Sequence, residues 1–487
     1  ITGLGKVGKS MLMKAQVLSD EEKQRIHNKS VKILEEVGVK FPSEKALCIL
    51  EAGGARIDWD KQVAYISEDM IGRALQTVPK SFTLGARNPE FDFMMPSAYS
   101  ALNLDGCGVN MLDFNTGNRR AATLKDVADS ARIFEEIELG RILWPPISPC
   151  DVPKGSRSII STGTAFVNTS KHVQDEVKDI REVYYVMEMA KAILGSMEEA
   201  IKRKIYSVTY CTVAPLSHDG EMLEATMELS KYEAPILILP MPACGSTGPA
   251  SLYSNIAIAN AESLSSIVLF QLVNPMTPLI YGSALGIINM RSGIFLEGAP
   301  ETTLQLTAMT ELGKYYDLPT NIAGCLTDAK EQGMQSVLEK LLTTMPIVLA
   351  GVDVVQGIGL IESSMTMSLE HIIIDGEIGN LCKRIREGID TDEAKNYYED
   401  IKIVGQEGHF LKQKSTRTSF RSSEFYIPEL CDRGSYDEWV TLGSPTMLTK
   451  AHEKASQILS GEIKNPLDPS VKKIIKEIIE EAKAKLG

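Results

Sequence analysis

Short apolar segments alternate with helical patterns along most of the chain, and this alternation constrains the fold more than any other feature. Eight segments read as strands: 100–104, 142–147, 172–176, 206–212, 236–241, 279–283, 320–323 and 352–356. They are read as continuously apolar, which is typical of parallel strands buried on both faces. Strands and helices in this alternation predict an α/β fold, a (β/α)8 TIM barrel of about 290 residues. Segment 172–176 is the weakest strand, and without it an open doubly wound sheet is the alternative.

The barrel pattern leaves an extension at each end of the chain. Residues 1–98 mix short helices with β-type pieces, and Ser19-Asp20-Glu21-Glu22 has the form of a capping box that opens the first helix. We interpret this part as an N-terminal α/β cap or oligomerisation segment. After the barrel (99–390) the alternation stops, so 391–487 is predicted to be an irregular and helical C-terminal extension. The substrate site is expected in the barrel.

The composition excludes several classes of function. A net charge of −13 and a pI of about 5.2 leave no basic stripe to neutralise phosphates, which speaks against nucleic acid. The eight cysteines form no Cys-x-x-Cys pair, and the six histidines show no His-x-x-x-His spacing. The sequence therefore indicates neither a disulfide framework nor a metal site, and a cytoplasmic location fits. No apolar run is long enough to span a membrane, and the first residues lack the apolar core of a signal peptide.

Side chains that follow the strands are the candidates for a site, because barrels build their sites at the carboxyl ends of the strands. The predicted substrate pocket consists of Asp105, Cys107, His172, Cys211, Tyr281, Leu326 and Gln356. This set contains no clustered acid pair, no strand-end lysine for a Schiff base and no Ser-His-Asp order, so no catalytic residue is assigned. We therefore expect a protein that positions a substrate for a nucleophile supplied by something else.

Structural roles compete with functional ones at some of these positions. Asp328 and Glu331 have the spacing of a capping box for a helix over 331–342, which makes Asp328 a helix cap rather than a ligand contact. Tyr281 is either one wall of a cation-binding cage or a packed barrel tyrosine. Lys171-His172 is a candidate for holding a carboxylate.

Several motifs resemble one known family. Ala323-Gly324-Cys325-Leu326-Thr327-Asp328-Ala329-Lys330 is similar to the segment that contains pyrrolysine in archaeal members of the corrinoid-dependent trimethylamine methyltransferase family. Further matches follow in consistent order: Asn168-Thr169-Ser170-Lys171-His172, Asn260-Ala261-Glu262, Tyr281-Gly282-Ser283, Gly298-Ala299-Pro300-Glu301, Ser368-Leu369-Glu370-His371 and Ala451-His452-Glu453-Lys454. The resemblance covers nearly the whole chain. Leu326 occupies the pyrrolysine position, so the chain is similar to the non-pyrrolysine branch.

The resemblance implies a (β/α)8 barrel that demethylates a quaternary amine such as glycine betaine, proline betaine, carnitine or γ-butyrobetaine. It also implies that the methyl acceptor is the Co(I) corrinoid (cobalamin) of a separate protein, with no cofactor bound permanently. A quaternary nitrogen leaves as a neutral tertiary amine, whereas trimethylamine needs an activation that leucine does not supply. Lys171, His172, Gln356 or loop amides are then the candidates for meeting the substrate carboxylate, and the chain is expected to be a homo-oligomer.

Two other functions stay open at this point. A corrinoid-independent lyase or hydrolase on the same barrel would need an acid–base pair with perturbed pKa values. A non-catalytic betaine-binding module would bind the ligand without turnover.

Overall fold

Eight parallel strands form a closed barrel in the computed structural model, which describes residues 13–487. The strands, here called barrel strands 1 to 8, are Ala101–Asn103, Gly140–Leu143, His172–Asp175, Tyr206–Cys211, Ile236–Leu239, Leu279–Ser283, Thr320–Ala323 and Val354–Gln356. Each strand pairs in parallel with the next along the chain, and strand 8 returns to strand 1 through the pairs Val354↔Ala101 and Gln356↔Asn103. The predicted (β/α)8 barrel is therefore confirmed. The start of the predicted N-terminal segment, including the expectation about a signal peptide, lies outside the described residues.

The strand boundaries agree with the sequence pattern at most positions. Barrel strand 3 exists and pairs with both of its neighbours, which excludes the open-sheet alternative. Barrel strand 2 lies earlier than the predicted 142–147, at Gly140–Leu143. The strand was predicted too late in the chain because the apolar run continues through Trp144 into two prolines. Prolines lack the N–H group that a strand needs, so the strand ends before them.

One helix follows each barrel strand and packs outside the barrel. The eight helices are Leu124–Glu135, Arg157–Asn168, Ile180–Leu194, Gly220–Ser230, Leu252–Val273, Pro300–Tyr315, Met334–Leu349 and Leu369–Glu387. The helix Arg157–Asn168 has no counterpart in the sequence prediction, because its serines, threonines and Gly163 are weak helix formers. Among the described residues, one helix, Leu252–Val273, is long and apolar enough to cross a membrane, yet 83% of its most apolar window is buried inside the protein.

The amino-terminal end of the barrel is closed by a β-hairpin. Its strands, Phe82–Leu84 and Phe93–Met95, pair antiparallel. The buried side chains of the hairpin form a separate apolar cluster with residues of the barrel strands: Leu84, Phe93, Met95, Ala101, Ile142, Leu237, Ile280 and Val354. Because this end is plugged by apolar side chains, polar chemistry is left to the carboxyl end.

The two extensions pack on the outside of the barrel. Before the hairpin come the helices Asp20–Glu36, Glu44–Ala52 and Glu68–Thr77, which contact the barrel helix Leu252–Val273. The predicted capping box is confirmed, since the Ser19 hydroxyl and the Glu22 carboxylate each accept a hydrogen bond from the backbone of the other. After the barrel, the C-terminal helices are Tyr398–Val404, Lys414–Phe420, Tyr436–Thr441, Met447–Ser460 and Pro469–Leu486.

Loops at the carboxyl end are ordered by two small sheets. The loops after barrel strands 1 and 8 form a four-stranded sheet from Asn110–Leu112, Arg119–Ala121, Leu360–Ile361 and Thr366–Met367. The loops after strands 5 and 6 form a second sheet from Ala243–Cys244, Gly286–Ile288 and Phe295–Leu296. Side chains that follow the barrel strands are therefore held on regular structure.

Candidate active site

Asp105 and Gln356 meet at the carboxyl end of the barrel. Gln356 is the last residue of barrel strand 8, and its Nε2 donates a hydrogen bond of 3.3 Å to Oδ2 of Asp105, two residues beyond strand 1. Asp105 is 4% exposed, and its Oδ1 has no hydrogen-bond partner in the described part of the chain. Burial raises the pKa of Asp105 above its ordinary value, and the charge of Glu176 raises it further. The structure thus brings together two residues of the predicted pocket.

Two further carboxylates lie near Asp105 and complete an acidic cluster of Asp105, Glu176 and Glu297. Glu176 follows barrel strand 3, and its charge acts on Asp105. Glu297 is 8% exposed, accepts a hydrogen bond of 2.6 Å from Ser364, and has its pKa raised to about 8, chiefly by burial and then by Asp105. The set predicted from the sequence contains one of these acids, Asp105, and lacks Glu176 and Glu297. Glu297 could have been found from its place directly before the Gly298-Ala299-Pro300-Glu301 motif that opens a helix.

The thiols of Cys107 and Cys211 lie in the acidic cluster and stay protonated at neutral pH. Cys211 Sγ lies 3.5 Å from Oε1 of Glu176, and Cys107 is exposed to solvent. Burial raises the pKa of the Cys211 thiol well above the ordinary value, and the nearby carboxylates Glu176 and Asp105 add to the shift. The neighbouring carboxylate of Asp105 raises the pKa of the exposed Cys107 in the same direction. Since the thiolate is the nucleophilic form, neither cysteine is poised to attack a methyl group.

A cavity of about 290 Å³ opens beside the acidic cluster, at the ends of barrel strands 2 and 3. Trp144 forms part of its wall, and the indole Nε1 donates a hydrogen bond of 3.1 Å to Asp175. A Cβ at Gly106 would lie 2.2 Å from this nitrogen, so only glycine allows the indole to lie there. Glu176 lines both the cavity and the acidic cluster, and therefore connects them. Burial raises the pKa of Asp175 to about 7.

Leu326 lies in a tightly held loop after barrel strand 7. Its N–H donates to the Thr343 hydroxyl at 2.9 Å, the preceding N–H of Cys325 donates to Thr344 at 2.9 Å, and the Cys325 carbonyl accepts from Lys340 at 2.9 Å. Leu326 is 4% exposed and packs toward the backbone after strand 8, where a Cβ on Gly357 would lie 3.2 Å from it. It is thus at the carboxyl end, as expected, but it does not line the 290 Å³ cavity.

Asp328 does not cap a helix, so the capping-box prediction was wrong. The helix begins at Met334 rather than near residue 331. The Asp328 carboxylate instead accepts hydrogen bonds from the backbone N–H groups of Glu297 and Gly298 and from the Ser363 hydroxyl. It therefore connects the loops that follow barrel strands 6, 7 and 8.

A buried ion pair connects the loops after barrel strands 7 and 8. Lys340 and Asp375 are both 0% exposed and lie 2.7 Å apart. Lys340 also donates to the Cys325 carbonyl, and Asp375 also accepts from the N–H of Gly359 at 2.7 Å. Burial disfavours the charge on Asp375, but the positive charge of Lys340 prevails and holds the pKa of Asp375 below its ordinary value.

His172 lies at the wrong end of the barrel for the predicted pocket. It is the first residue of barrel strand 3, and its ring nitrogens lie 2.8 Å from the Gly85 carbonyl beside the hairpin plug and 2.8 Å from the Ser207 hydroxyl. Burial lowers the pKa of His172 to about 4. The adjacent Lys171 is equally buried and donates to the carbonyls of Phe134 and Ile137. Neither residue is placed to hold a substrate carboxylate.

Tyr281 lies between the barrel and its helices rather than in a pocket. Its hydroxyl donates a hydrogen bond of 2.7 Å to Asn260 on the helix Leu252–Val273. The ring lies next to Gly313 of another barrel helix, where a Cβ would come within 3.1 Å of it. Of the two interpretations of this residue, the packed barrel tyrosine describes its position.

Comparisons with known proteins identify the family of the chain. The sequence model of the family described as Trimethylamine methyltransferase (MTTB) matches residues 6–487. A glycine betaine methyltransferase of Desulfitobacterium hafniense is 32% identical over 95% of this chain and 96% of that protein. The trimethylamine methyltransferase MttB of Methanosarcina thermophila is 31% identical over 94% of this chain and 95% of its own.

Among solved structures, the monomethylamine methyltransferase MtmB of Methanosarcina barkeri is 12% identical, covers 90% of this chain and 92% of its own, and has a TM-score of 0.48. The family match covers almost all of the chain and agrees with the motifs found in its sequence. The chain therefore belongs to the trimethylamine methyltransferase family, as a member that carries leucine at the pyrrolysine position, and it is an enzyme that transfers a methyl group.

Proposed function

We propose that this enzyme transfers a methyl group from a quaternary amine of the betaine type to the Co(I) corrinoid of a separate protein. The observation that carries the proposal is the side chain in the loop after barrel strand 7, where an apolar, almost fully buried Leu326 stands in place of an amine-reactive residue. A relative 32% identical over nearly the whole chain bears the name glycine betaine methyltransferase, which supports the same substrate class.

Because residue 326 is a leucine, the nature of the leaving group limits which amines the enzyme can demethylate. Removing a methyl group from a quaternary ammonium releases a neutral tertiary amine. Removing one from trimethylamine would release an amide-like anion unless the nitrogen were first protonated or otherwise activated. An alkyl side chain can do neither. The enzyme then has to bind, orient and desolvate the methyl group, rather than activate the nitrogen.

The site offers two kinds of stabilisation to a permanent cation. The acidic cluster of Asp105, Glu176 and Glu297 supplies negative charge, and a bound cation favours the ionised form of each carboxyl group. The indole of Trp144 adds an aromatic face at the cavity wall, and such a face contributes roughly 0.5–2 kcal/mol to binding a cation. Both lie at the carboxyl end of the barrel, near the mouth at which a partner protein would dock.

The enzyme needs a methyl acceptor from outside. The two thiols near the cluster, Cys107 and Cys211, have pKa values raised well above the ordinary range, so they are protonated at neutral pH. When the partner is bound, its Co(I) corrinoid supplies the nucleophile. The residues of this chain hold the substrate nitrogen near the acidic cluster, keep the methyl group aligned and exclude water.

A substrate panel tests the proposal. The purified enzyme is mixed with a corrinoid protein reduced to Co(I), and methylation of the corrinoid is followed by its absorbance spectrum. Glycine betaine, proline betaine, carnitine and γ-butyrobetaine are compared with trimethylamine. We expect transfer from at least one quaternary amine, none from trimethylamine, and none when the corrinoid protein is left out.

Variants at two positions connect the result to the site. Asp105→Asn removes one charge of the acidic cluster and should raise the KM for the quaternary amine about 10-fold, because one charge contact to the cation is lost. The matched control is Asp179→Asn, since Asp179 pairs with Arg181 on the rim of the cavity and should leave the KM within about 2-fold. Transfer from trimethylamine as fast as from any betaine would refute the proposal, as would turnover without a corrinoid protein.

A further inference from the structure

The cavity beside the acidic cluster carries an arginine and a serine without partners. Arg157 and Ser161 begin the helix Arg157–Asn168, and both line the cavity. They are four residues apart and therefore lie on one face of the helix. Ser161 is 4% exposed, and in the described part of the chain neither its hydroxyl nor the buried Nε of Arg157 has a hydrogen-bond partner. Native proteins rarely leave buried donors unsatisfied, so such groups point to a ligand.

Three other basic side chains, Lys154, Lys178 and Arg181, line the cavity, and two of them are paired with carboxylates. Lys178 pairs with Glu176 at 3.1 Å, and Arg181 pairs with Asp179 at 2.6 Å. Among the described residues no ion pair is formed by Arg157, although five acidic side chains line the same cavity: Asp175, Glu176, Asp179, Glu182 and Glu221. The guanidinium is therefore available to an anion that enters from outside.

The lining of the cavity offers partners of both signs. Trp144 and Glu176 line it, and Glu176 also belongs to the acidic cluster. Arg157 and Ser161 line the same cavity. A ligand that carries a fixed positive charge and a carboxylate a few bonds apart would meet a partner for each group. The cavity volume of about 290 Å³ lies at the low end of the range for ligand pockets, which favours a compact molecule.

We propose that Arg157 and Ser161 bind the carboxylate of a zwitterionic substrate while its quaternary ammonium lies against Trp144 and Glu176. This inference rests on the proposed function and deepens it, because it assigns the residues that distinguish a betaine from an amine without a carboxylate. The planar guanidinium donates two parallel hydrogen bonds to a carboxylate, a geometry that lysine cannot reproduce. Gln356, named from the sequence as a carboxylate contact, instead donates to Asp105.

The experiment compares two ligands that share the ammonium and differ in the carboxylate. Binding of glycine betaine and of tetramethylammonium is measured by isothermal titration calorimetry on wild type, Arg157→Gln, Arg157→Lys and Ser161→Ala. We expect Arg157→Gln to weaken glycine betaine binding by at least ~10-fold and to leave tetramethylammonium within ~2-fold. Arg157→Lys should recover only part of the loss, and Ser161→Ala should weaken glycine betaine binding less than Arg157→Gln does.

The matched control is Arg73→Gln, since Arg73 is paired with Asp69 on the N-terminal helix Glu68–Thr77 and does not line this cavity. It should bind both ligands as wild type does. In methyl transfer, Arg157→Gln should raise the KM for glycine betaine with kcat little changed, which loss of structure alone would not produce. Ser161→Ala removes a single oxygen and tests the same contact if Arg157→Gln reduces the yield of folded protein.

The outcomes separate the two proposals. Equal weakening of both ligands by Arg157→Gln, or no weakening of either, overturns the assignment of the carboxylate site while methyl transfer by wild type upholds the proposed function. Selective weakening of glycine betaine without methyl transfer by wild type upholds the site and overturns the proposed function. If wild type uses another betaine of the panel in place of glycine betaine, the same comparison is made with that betaine; absence of binding and of transfer for all four overturns both proposals.

Discussion

Replacing Lys340 by methionine tests whether the buried ion pair holds the loops of the active site together. The substitution removes the charge and leaves Asp375, at 0% exposure, with the Gly359 N–H as a hydrogen-bond donor and with His371 Nδ1 at 3.6 Å. Burial holds the pKa of His371 below its ordinary value, so this imidazole does not replace the lost charge. Removing one partner of a buried pair costs about 3–5 kcal/mol of unfolding free energy, because the remaining charge stays desolvated. The Cys325 carbonyl loses its donor as well. We therefore expect Lys340→Met to be among the most destabilising single changes in the barrel.

Urea unfolding followed by circular dichroism measures the effect, with Asp375→Asn and the double variant completing a cycle. The double variant should lose clearly less than the sum of the two single variants, by roughly 2 kcal/mol, because it leaves no unpaired charge. Lys202→Met is the control, since Lys202 forms an exposed pair with Glu199 and should change stability by less than about 0.5 kcal/mol. A loss below about 1 kcal/mol for Lys340→Met, or additive losses in the cycle, would refute the reasoning.

The same pair predicts a pH dependence with a definite sign. The pKa of Asp375 in the folded protein lies below its ordinary value of 3.8, so the folded state holds this proton less tightly than the unfolded chain. The stabilisation is then fully present above pH 3.8 and is lost as the pH falls through the lower, folded-state pKa. In Lys340→Met the buried and unpaired Asp375 binds a proton more tightly than the unfolded chain does. The stability difference between wild type and Lys340→Met should therefore begin to shrink above pH 3.8 and should go on shrinking down to the folded-state pKa of the wild type.

Three further predictions follow from individual side chains. Because the pKa of Glu297 is about 8, roughly nine-tenths of this carboxyl group is protonated at pH 7. Binding of a quaternary ammonium should therefore release up to about 0.9 proton from Glu297. Titration calorimetry in buffers of different ionisation enthalpy measures the proton release, and Glu297→Gln should abolish the release from this group. Iodoacetamide at pH 7 should alkylate the exposed Cys48 well before Cys211, which lies beside Glu176 and whose raised pKa keeps it a thiol, and peptide mass spectrometry reads the order; equal rates would contradict the assigned environment. Tyr281→Phe removes a buried hydrogen bond to Asn260 and should lower the unfolding free energy by about 1 kcal/mol without changing the KM for any substrate, so an altered KM would show that Tyr281 contacts the ligand.

The barrel could be predicted from the sequence because the patterns that identify its strands and helices are local. A short apolar run followed by a capped amphipathic segment identifies a strand and its helix without knowledge of distant residues. Strands 6 and 7 were placed at their observed ends. The helix Arg157–Asn168 escaped detection because its composition is a poor match to helix propensity, and its stability depends on packing against the barrel.

The site was less accessible to sequence reasoning for two physical reasons. Barrel strands are buried on both faces, so alternation of polar and apolar residues does not show which side chains point inward; Tyr281 was placed in the pocket on this account, although it faces the helices. The prediction that His172 lines the pocket was wrong for a simpler reason. His172 is the first residue of its strand and therefore lies at the end of the barrel opposite to the site.

The sequence by itself determined the closed α/β architecture, the family and the leucine at the position that corresponds to pyrrolysine. Only the tertiary structure decided which charged groups meet. Asp105 and Glu176 follow barrel strands 1 and 3, whereas Glu297 lies in the long loop after barrel strand 6. Arg157 comes from a helix that the sequence pattern did not predict. The physical reason is that the distances between these charged groups depend on the pairing and register of all eight strands in the closed barrel. No local window of the sequence contains that information.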